Sequence, residues 1–478
     1  MKLSLRKPAR VARAIPAVTA LLSVVSLAAL FACSKTLDRG DPGGDVGPEA
    51  GAALPEASTS DLDAGPPPDA GDEFTVPDGA VVCDASPCAT SITGAGSTFC
   101  ALLHDGTVSC WGGNDQGQLG YDAGTDFPPV STAARPVVGL AGVTSVSVGN
   151  GNTCARVSDG GVLCWGAPEL VTSGIVPADG GPTSDMPILT PTLESAVPAA
   201  TGVAVGSHVA CATTSSGALS CWGHNESLEL GRGPTATPFA PPANVSTGGE
   251  AALLAVPGDT RTFAVTVTGR LFSWGTSTNF GSFGFLLGRD TSEDPDGVPT
   301  LVPLGAPVRS LATAGDHACA IAGRLIECWG SNENGQLGRG SFDSFSYPPA
   351  PTNVAFAVAS EDEDGGNADT HDVPLQVATG DGHACAVMGS GRVFCWGANA
   401  SGQLGEGAGM DVTRSGIPHH VTGLAGPAVQ LASSSGAICA LLRTGAVQCW
   451  GSNFQGELGI GVIDQETHPH PAAVLFSP

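Results

Sequence analysis

The stretch Cys100-Ala-Leu-Leu-His-Asp-Gly106-Thr-Val-Ser-Cys110-Trp111-Gly112 decides the fold, because it recurs in recognisable form seven times. Each copy has a small or apolar run, a glycine turn, a second run and then Trp-Gly. Successive Trp-Gly pairs are 52–67 residues apart. A recurring unit of this length predicts a repeat architecture. The copies contain every tryptophan of the chain: Trp111, Trp165, Trp222, Trp274, Trp329, Trp396 and Trp450.

Each copy is predicted to be a β-hairpin with its two cysteines on opposite strands. Cys110 follows Cys100 by ten residues, which fits a three-residue turn with glycine in the left-handed position. In the fifth copy Cys319 and Cys328 are nine apart, and Gly323-Arg324 predicts a two-residue turn that keeps them opposite each other. Residues opposed in this way lie within reach of a disulfide bond. In the other cysteine-bearing copies the turn glycines are Gly106, Gly160, Gly217, Gly391 and Gly445.

The distribution of the cysteines favours disulfide bonds over reduced buried thiols or a metal site. In the fourth copy Phe263 and Ser273 replace both cysteines together, as expected if the two sulfurs form one bond. A metal site is disfavoured because the CxxC spacing of zinc sites is missing. Cys83 and Cys88 flank a short turn and form a looser seventh candidate pair. The predicted disulfide cysteines are Cys83, Cys88, Cys100, Cys110, Cys154, Cys164, Cys211, Cys221, Cys319, Cys328, Cys385, Cys395, Cys439 and Cys449.

The N-terminal residues 1–32 are predicted to be a lipoprotein signal peptide. A basic segment is followed by an uncharged apolar run that ends Leu30-Phe31-Ala32-Cys33, which resembles the bacterial lipobox. We therefore expect Cys33 to be lipidated. An uncleaved membrane anchor and ordinary secretory cleavage are the alternatives, and all three place the remaining chain outside the cytoplasm. The residues after Cys33 lack the aspartate of inner-membrane retention, which favours the outer membrane or cell surface of a Gram-negative bacterium.

Residues 33–82 are predicted to form a disordered tether between the lipid and the repeats. The segment is dominated by Ala, Gly, Pro and Asp, for example Gly65-Pro-Pro-Pro-Asp69. It contains too few large apolar side chains to offset its chain entropy by burial. The folded domain is therefore predicted to span 83–478.

A glycine-rich turn after each Trp-Gly pair carries a family resemblance. The sixth copy reads Gly380-Asp-Gly-His383-Ala-Cys385, then Cys395-Trp396-Gly397, then Asn399-Ala-Ser-Gly402-Gln-Leu-Gly405. This pattern resembles the repeat of the regulator of chromosome condensation family, over about residues 89–478. The resemblance implies an all-β, seven-bladed β-propeller of four-stranded antiparallel blades.

Two further expectations concern the closure of that ring. Each tryptophan is expected to pack between adjacent blades or against its own hairpin. The C-terminal Pro471-Ala-Ala-Val-Leu475 looks like the Pro/Val strand of a repeat. We expect it to pair into the first blade and to close the ring there.

No catalytic or cofactor-binding constellation stands out in the sequence, so we expect neither an enzyme nor a cofactor. His208, His317 and His383 occur near the first cysteine of a repeat, which favours a structural hydrogen bond. His419-His420 and the pair His468 and His470 are interpreted as loop residues without a metal. The acidic insertion 361–372 is interpreted as a solvated loop, with calcium binding or partner contact as alternatives. A shorter acidic stretch covers 290–296.

The charge of the chain limits its partners. A net charge of −26 and a pI of about 4.5 exclude a protein that binds the phosphate backbone of nucleic acid. Nucleotide exchange on a nuclear GTPase, known in the family, does not fit an extracytoplasmic chain. We favour a non-enzymatic binding scaffold for a protein or glycan, as in secreted propellers that inhibit β-lactamases. The alternatives are a polysaccharide hydrolase or lyase, which needs carboxylates clustered at one ring mouth, and a structural component of the envelope.

Overall fold

The computed structural model describes residues 81–121, 128–168, 170, 186–235, 238–278, 286–343, 350–356, 372–405 and 412–477. These residues all belong to one unit, Glu73–Pro478. The predicted signal peptide, Cys33, nearly all of the tether and most of the acidic insertion 361–372 lie outside the described residues. Among the residues described, no helix is long and apolar enough to cross a membrane.

The described chain forms seven antiparallel sheets of four strands, and the strands follow one another in chain order within each sheet. The predicted seven-bladed β-propeller is therefore confirmed. In blades one to four the strands are β1 Ala89–Ala95, β2 Thr98–Leu103, β3 Val108–Gly113, β4 Val130–Pro136; β5 Val143–Val148, β6 Asn152–Val157, β7 Val162–Gly166, β8 Ile188–Leu193; β9 Ala200–Val205, β10 Val209–Thr214, β11 Leu219–His224, β12 Phe239–Val245; and β13 Ala252–Pro257, β14 Arg261–Thr266, β15 Leu271–Gly275, β16 Asp296–Val302.

In blades five to seven the strands are β17 Val308–Ala314, β18 His317–Ala322, β19 Leu325–Gly330, β20 Thr352–Asn353; β21 Pro374–Gly380, β22 His383–Met388, β23 Val393–Ala398, β24 Arg414–His420; and β25 Ala428–Ser433, β26 Ala437–Leu442, β27 Val447–Gly451, β28 His468–Ala473. The repeated hairpin supplies the second and third strands of every blade. The first strand of each blade faces the centre of the ring, and the fourth strand forms its outer edge.

The hairpin register places the cysteines as directly opposed partners. Cys100 pairs with Cys110, and the shortened fifth hairpin pairs Cys319 with Cys328 across the two-residue turn. The structure joins six such pairs by disulfide bonds at Cα–Cα separations of 4.0–4.1 Å, and Cys83 to Cys88 at 5.4 Å. The turn glycine adopts a positive φ, for example +79° at Gly106, as the three-residue turn requires.

Every tryptophan packs between two blades, and its indole N–H donates to a carbonyl of the preceding blade. Trp396 Nε1 donates to Gln336 O at 2.9 Å, and the seven equivalent bonds span 2.7–3.2 Å. Trp111 of the first blade donates to Glu457 O of the seventh. The series of hydrogen bonds is therefore circular and closes the ring.

The glycine-rich turn that receives the indole is held by its own asparagine. In the sixth blade Asn399 Oδ1 accepts from Leu404 N at 2.9 Å, and Gln403 Oε1 accepts from Ser401 N at 2.8 Å. The hydrogen bond from the leucine N–H to the asparagine Oδ1 also forms in blades one, three, five and seven. The repeated spacing of Asn, Gln, Leu and Gly in these turns thus reflects a single turn geometry. This geometry presents one carbonyl to the tryptophan of the next blade.

The expectation for the C-terminal strand is wrong in its main part. His468–Ala473 is the fourth strand of the seventh blade, and Gln448 pairs there with Ala473. Each blade begins at its innermost strand, so the first blade already has four strands of its own. The residues after β28 do reach the first blade, where Ala134 N donates to Leu475 O and Ser477 N to Ala134 O, both at 2.8 Å.

Alanine at Gly338 should destabilise the ring, because this glycine has a φ of +65° and touches the next blade. A Cβ there would lie 2.7 Å from Val354 Cγ1 and 2.9 Å from Trp396 Nε1. We expect Gly338→Ala to lower the free energy of unfolding by at least about 1–2 kcal/mol. Gly426→Ala is the matched control, since a Cβ there meets nothing within 4 Å and its φ is not positive. Equal denaturation midpoints for the two variants would contradict this account.

Candidate functional site: the acidic mouth of the central channel

The first strands of the seven blades line a central channel of about 450 Å³. Side-chain amides join these strands across the blade boundaries. Gln430 accepts from Ile92 N and donates to Ile92 O, both at 3.0 Å. Gln376 makes the same pair of bonds to Leu431 at 2.8 and 3.1 Å. The channel wall is therefore hydrogen-bonded across these two blade boundaries.

Two sets of connections emerge on one side of the propeller, which we call the loop face. It comprises the connections between third and fourth strands and the turns between first and second strands, at 96–97, 149–151, 206–208, 258–260, 315–316, 381–382 and 434–436. In blades four, five and six these turns carry Asp259, Asp316 and Asp381. Asp259 and Asp381 line the channel, and Asp316 follows the lining residue Gly315. We call these three aspartates the acidic mouth.

The three carboxylates interact electrostatically and have different environments. Partial desolvation of its carboxyl group raises the pKa of Asp381, and the negative charges of Asp259 and Asp316 raise it further. Burial alone would also raise the pKa of Asp316, but hydrogen bonds from His317, Ser331 and Gln336, with the charge of His317, hold it at about 2. The mouth therefore concentrates negative charge near neutral pH.

Buried polar side chains at one repeat position connect three of the blades to the blade that follows. His383 Nε2 lies 2.9 Å from Ser433 Oγ, and Arg261 Nη2 donates to Gly315 O at 2.8 Å. In the second blade Asn152 Nδ2 donates to Ser207 O at 3.0 Å. These residues all stand two positions before the first hairpin cysteine or its replacement. They act as structural contacts, and His383 thus has the role that the sequence favoured for it.

The remaining sequence candidates are engaged locally. His419 Nε2 lies 2.7 Å from Ser415 Oγ, and His468 Nε2 lies 2.6 Å from Asp464 Oδ1. Asp372, at the described end of the acidic insertion, accepts from Ser390 N at 2.8 Å. No three His, Cys, Asp or Glu side chains of the described ranges are already arranged to hold a metal ion.

Sequence reasoning missed the acidic mouth. Asp316 stands three residues before its cysteine, whereas Asp381 and Asp259 stand four before Cys385 and Phe263. Because Asp316 lies one position away from the other two aspartates relative to the cysteine, aligning the repeats does not bring the three into one column. A search for acids within the turns that precede successive hairpins would have found it.

Stability should fall in acid because of His383. Burial lowers the pKa of this side chain to about 3, so it stays neutral in the folded protein while the unfolded chain takes up a proton below about pH 6.5. Its stabilising contribution is thus complete above about pH 6.5 and is lost as the pH falls toward about 3. We expect His383→Gln to flatten the pH dependence of unfolding between about pH 6.5 and about pH 4 by up to about 1.4 kcal/mol per pH unit.

The measurement is urea unfolding across this pH range. His104→Gln is the control because His104 is exposed on a hairpin turn. The explanation fails if the His383 variant keeps the wild-type slope, whatever its absolute stability.

Comparison with known proteins gives the class of the fold. Models of the regulator of chromosome condensation (RCC1) repeat match residues 143–169, 375–403 and 428–457, and residues 328–387 and 390–442. The structure of Prp20p from Saccharomyces cerevisiae superposes with a TM-score of 0.63 at 18% identity, covering 82% of this chain and 90% of that one.

Two curated proteins are similar in sequence over most of this chain. The Ultraviolet-B receptor UVR8 of Arabidopsis thaliana is 26% identical over 405 residues, which is 82% of this chain and 81% of the receptor. The E3 ubiquitin-protein ligase HERC2 of Homo sapiens is 28% identical over 77% of this chain, but the match spans only 7% of the ligase. The chain is therefore a seven-bladed propeller that contains regulator of chromosome condensation repeats.

Proposed function

We propose that the chain is a non-enzymatic binding scaffold whose loop face receives a protein partner rich in basic side chains. The observation that carries this proposal is the acidic mouth, where three successive blades each contribute one aspartate to one end of the channel. Asp259 and Asp381 are exposed and Asp316 is half-buried, so a partner can reach them. Clustered charge of one sign at a concave surface attracts and orients a partner of opposite charge.

The positive group behind the mouth is buried and already hydrogen-bonded within the propeller. Arg261 lies behind the aspartates, but it is buried and its guanidinium is used on backbone carbonyls of the fifth blade. No lysine follows Lys35 in the entire sequence. A lysine or arginine of a partner would therefore find carboxylates that form no ion pair with Lys or Arg in the described structure.

The relatives support binding as a general use of this ring. The structure of Prp20p is described with its binding to Gsp1p and to histones, and UVR8 is named a receptor. These statements concern those proteins. A glycan remains the other ligand class that the same face would admit.

We also propose that the propeller works outside the cytoplasm, attached to the membrane through a lipidated Cys33. The support is the signal-like sequence 1–32 together with cysteines that pair within six of the seven hairpins, which suits an oxidising compartment. We expect the intact mass of the membrane-fraction protein to fit a chain that begins at a triacylated Cys33. Reduction should add about 14 hydrogens, two for each disulfide. An unlipidated mass with free thiols would remove both parts of this localisation.

A second candidate function is hydrolysis of a polysaccharide, because the mouth contains carboxylates with opposite pKa shifts. The pKa of Asp381 is raised, and the pKa of Asp316 is lowered to about 2. A general acid beside an ionised carboxylate is the arrangement found in glycosidases. A catalytic role is disfavoured because the Asp316 carboxylate is hydrogen-bonded to His317 and Gln336 within its own blade. We therefore favour binding over catalysis.

The binding proposal is tested with the full chain and a synthetic peptide of alternating lysine and serine. We expect saturable binding that weakens with added salt. Asp259→Asn, Asp316→Asn and Asp381→Asn should each lower the affinity about two- to fivefold, and the triple variant should lower it further. Asp84→Asn is the control, since it removes the same charge from the opposite face.

Carbodiimide coupling locates the contact on the propeller. The chain has no lysine after Lys35, so any new amide on a propeller carboxylate joins it to the peptide or to the N-terminal segment, which mass spectrometry distinguishes. Unchanged binding by the triple variant would overturn the proposal. Sugar release from a polysaccharide panel that is lost in Asp381→Asn would favour the hydrolase instead.

A further inference from the structure

The glycine-rich turn of the third blade departs from the others. It reads Asn225-Glu226-Ser227-Leu228-Glu229-Leu-Gly231, so that Leu228 and Glu229 replace the Gly-Gln of the sixth blade. Leu228 has a φ of +57° and is the one non-glycine residue of the described chain with a positive φ. A large side chain in this conformation is an uncommon and strained choice, and such positions cluster at functional sites.

Two histidines, His208 and His224, lie side by side next to this turn. His224 N donates to His208 O at 2.9 Å, so the two residues are neighbours on adjoining backbone segments of the loop face. Their ring centroids are 6.0 Å apart with an interplanar angle of 57°. His208 is exposed, and His224 is half-buried. Both imidazoles are therefore at the surface, where an ion from solvent can reach them.

Two glutamates of the turn contact the two nitrogens of His224. Glu229 Oε1 lies 2.7 Å from Nδ1, and Glu226 Oε2 lies 3.4 Å from Nε2. Glu229 is only 1% exposed, whereas the side chain of Glu226 is 67% exposed. One nitrogen is thus held by a buried carboxylate from behind, and the other faces an accessible carboxylate.

We propose that His208, His224 and Glu226 bind a divalent transition-metal ion of the zinc type, with Glu229 orienting His224. Zinc bonds to histidine and carboxylate are about 2.0–2.2 Å long, so two ligand atoms of a tetrahedral site lie about 3.3–3.5 Å apart. The 3.4 Å between His224 Nε2 and Glu226 Oε2 has this value. A carboxylate on the second nitrogen of a histidine ligand is the usual support of such sites.

His208 must rotate to complete the site, because the described side chains contain no three donors already in place for a metal. Its exposure leaves that rotation free, and water would take the fourth position, as in open zinc sites. A second observation points to a cation. Glu229 Oε2 is buried and has no hydrogen-bond partner. A positive ion on the far side of His224 would stabilise this carboxylate through the imidazole.

The alternative is that His224 merely pairs with the two glutamates as a structural contact. In that case His208 would have no part, since no hydrogen bond or ion pair joins its side chain to the cluster. The participation of His208 therefore separates the two accounts. The proposal does not depend on the acidic mouth, because it uses a different blade and other residues.

The full-length protein, freed of metal by dialysis against a chelator, is titrated with Co²⁺ and then with Zn²⁺. We expect one Co²⁺ per chain, visible absorption of the intense tetrahedral type, and its loss when Zn²⁺ displaces the cobalt. His208→Ala and Glu226→Gln should each abolish this spectrum. Both side chains are exposed, so these variants should unfold at the same denaturant concentration as the wild type.

Glu229→Gln should keep the stoichiometry and weaken metal affinity about ten- to a hundredfold, as expected of an orienting residue. His104→Ala is the matched control, an exposed histidine on the opposite face. The proposal is overturned if no stoichiometric binding occurs. It is equally overturned if His208→Ala binds Co²⁺ as the wild type does, which would leave the cluster with a structural role only.

Discussion

The indole N–H of each tryptophan, donated to one turn carbonyl of the preceding blade, is the interaction on which the rest of the molecule depends. It couples two blades through a group that is fully desolvated, so breaking it would leave a buried donor and a buried acceptor unpaired. The receiving turn must expose that carbonyl and leave room for the indole. This double requirement explains why asparagine, glutamine, leucine and glycine recur there at fixed offsets. No other residue fits in place of the final glycine, because its φ is positive and the indole of the next blade lies against it.

The fourth blade shows how the same geometry is kept without a disulfide. Phe263 and Ser273 occupy the cysteine positions and still pair in register. Ser273 Oγ donates to Leu287 O at 2.8 Å, and Arg289 donates to Ser273 O at 2.9 Å. The Arg289 guanidinium, 5% exposed, lies 2.9 Å from Asp296. A buried ion pair and its hydrogen bonds to Ser273 thus hold this hairpin to the fourth strand of its blade.

Much of this fold could be predicted from the sequence because its information is local. The turn length in the fifth hairpin predicted that Cys319 and Cys328 face each other, and the count of seven Trp-Gly pairs agrees with the seven blades that the family resemblance implied. The position of the C-terminal strand could not be predicted in the same way. The length of a repeat in a closed ring does not show at which strand each blade begins. The fourth-strand pattern of 471–475 therefore fitted two topologies, and only the pairing of β27 with β28 distinguishes them.

The functional surfaces were less accessible to sequence reasoning, because they arise from the closed ring. Asp259, Asp316 and Asp381 are more than fifty residues apart along the chain and become neighbours only when successive blades turn about the channel. The cluster around His224 is different, since Glu226 and Glu229 are local and a degraded turn marks their place in the sequence. The sequence named His208 only as a structural residue and did not show that it lies beside His224 through a backbone pairing across the hairpin. A rigid ring of inter-blade hydrogen bonds leaves the loop face free to vary, and both candidate sites lie where a turn departs from the repeat. Departure from the repeat is therefore the better guide to function in this chain than the repeat itself.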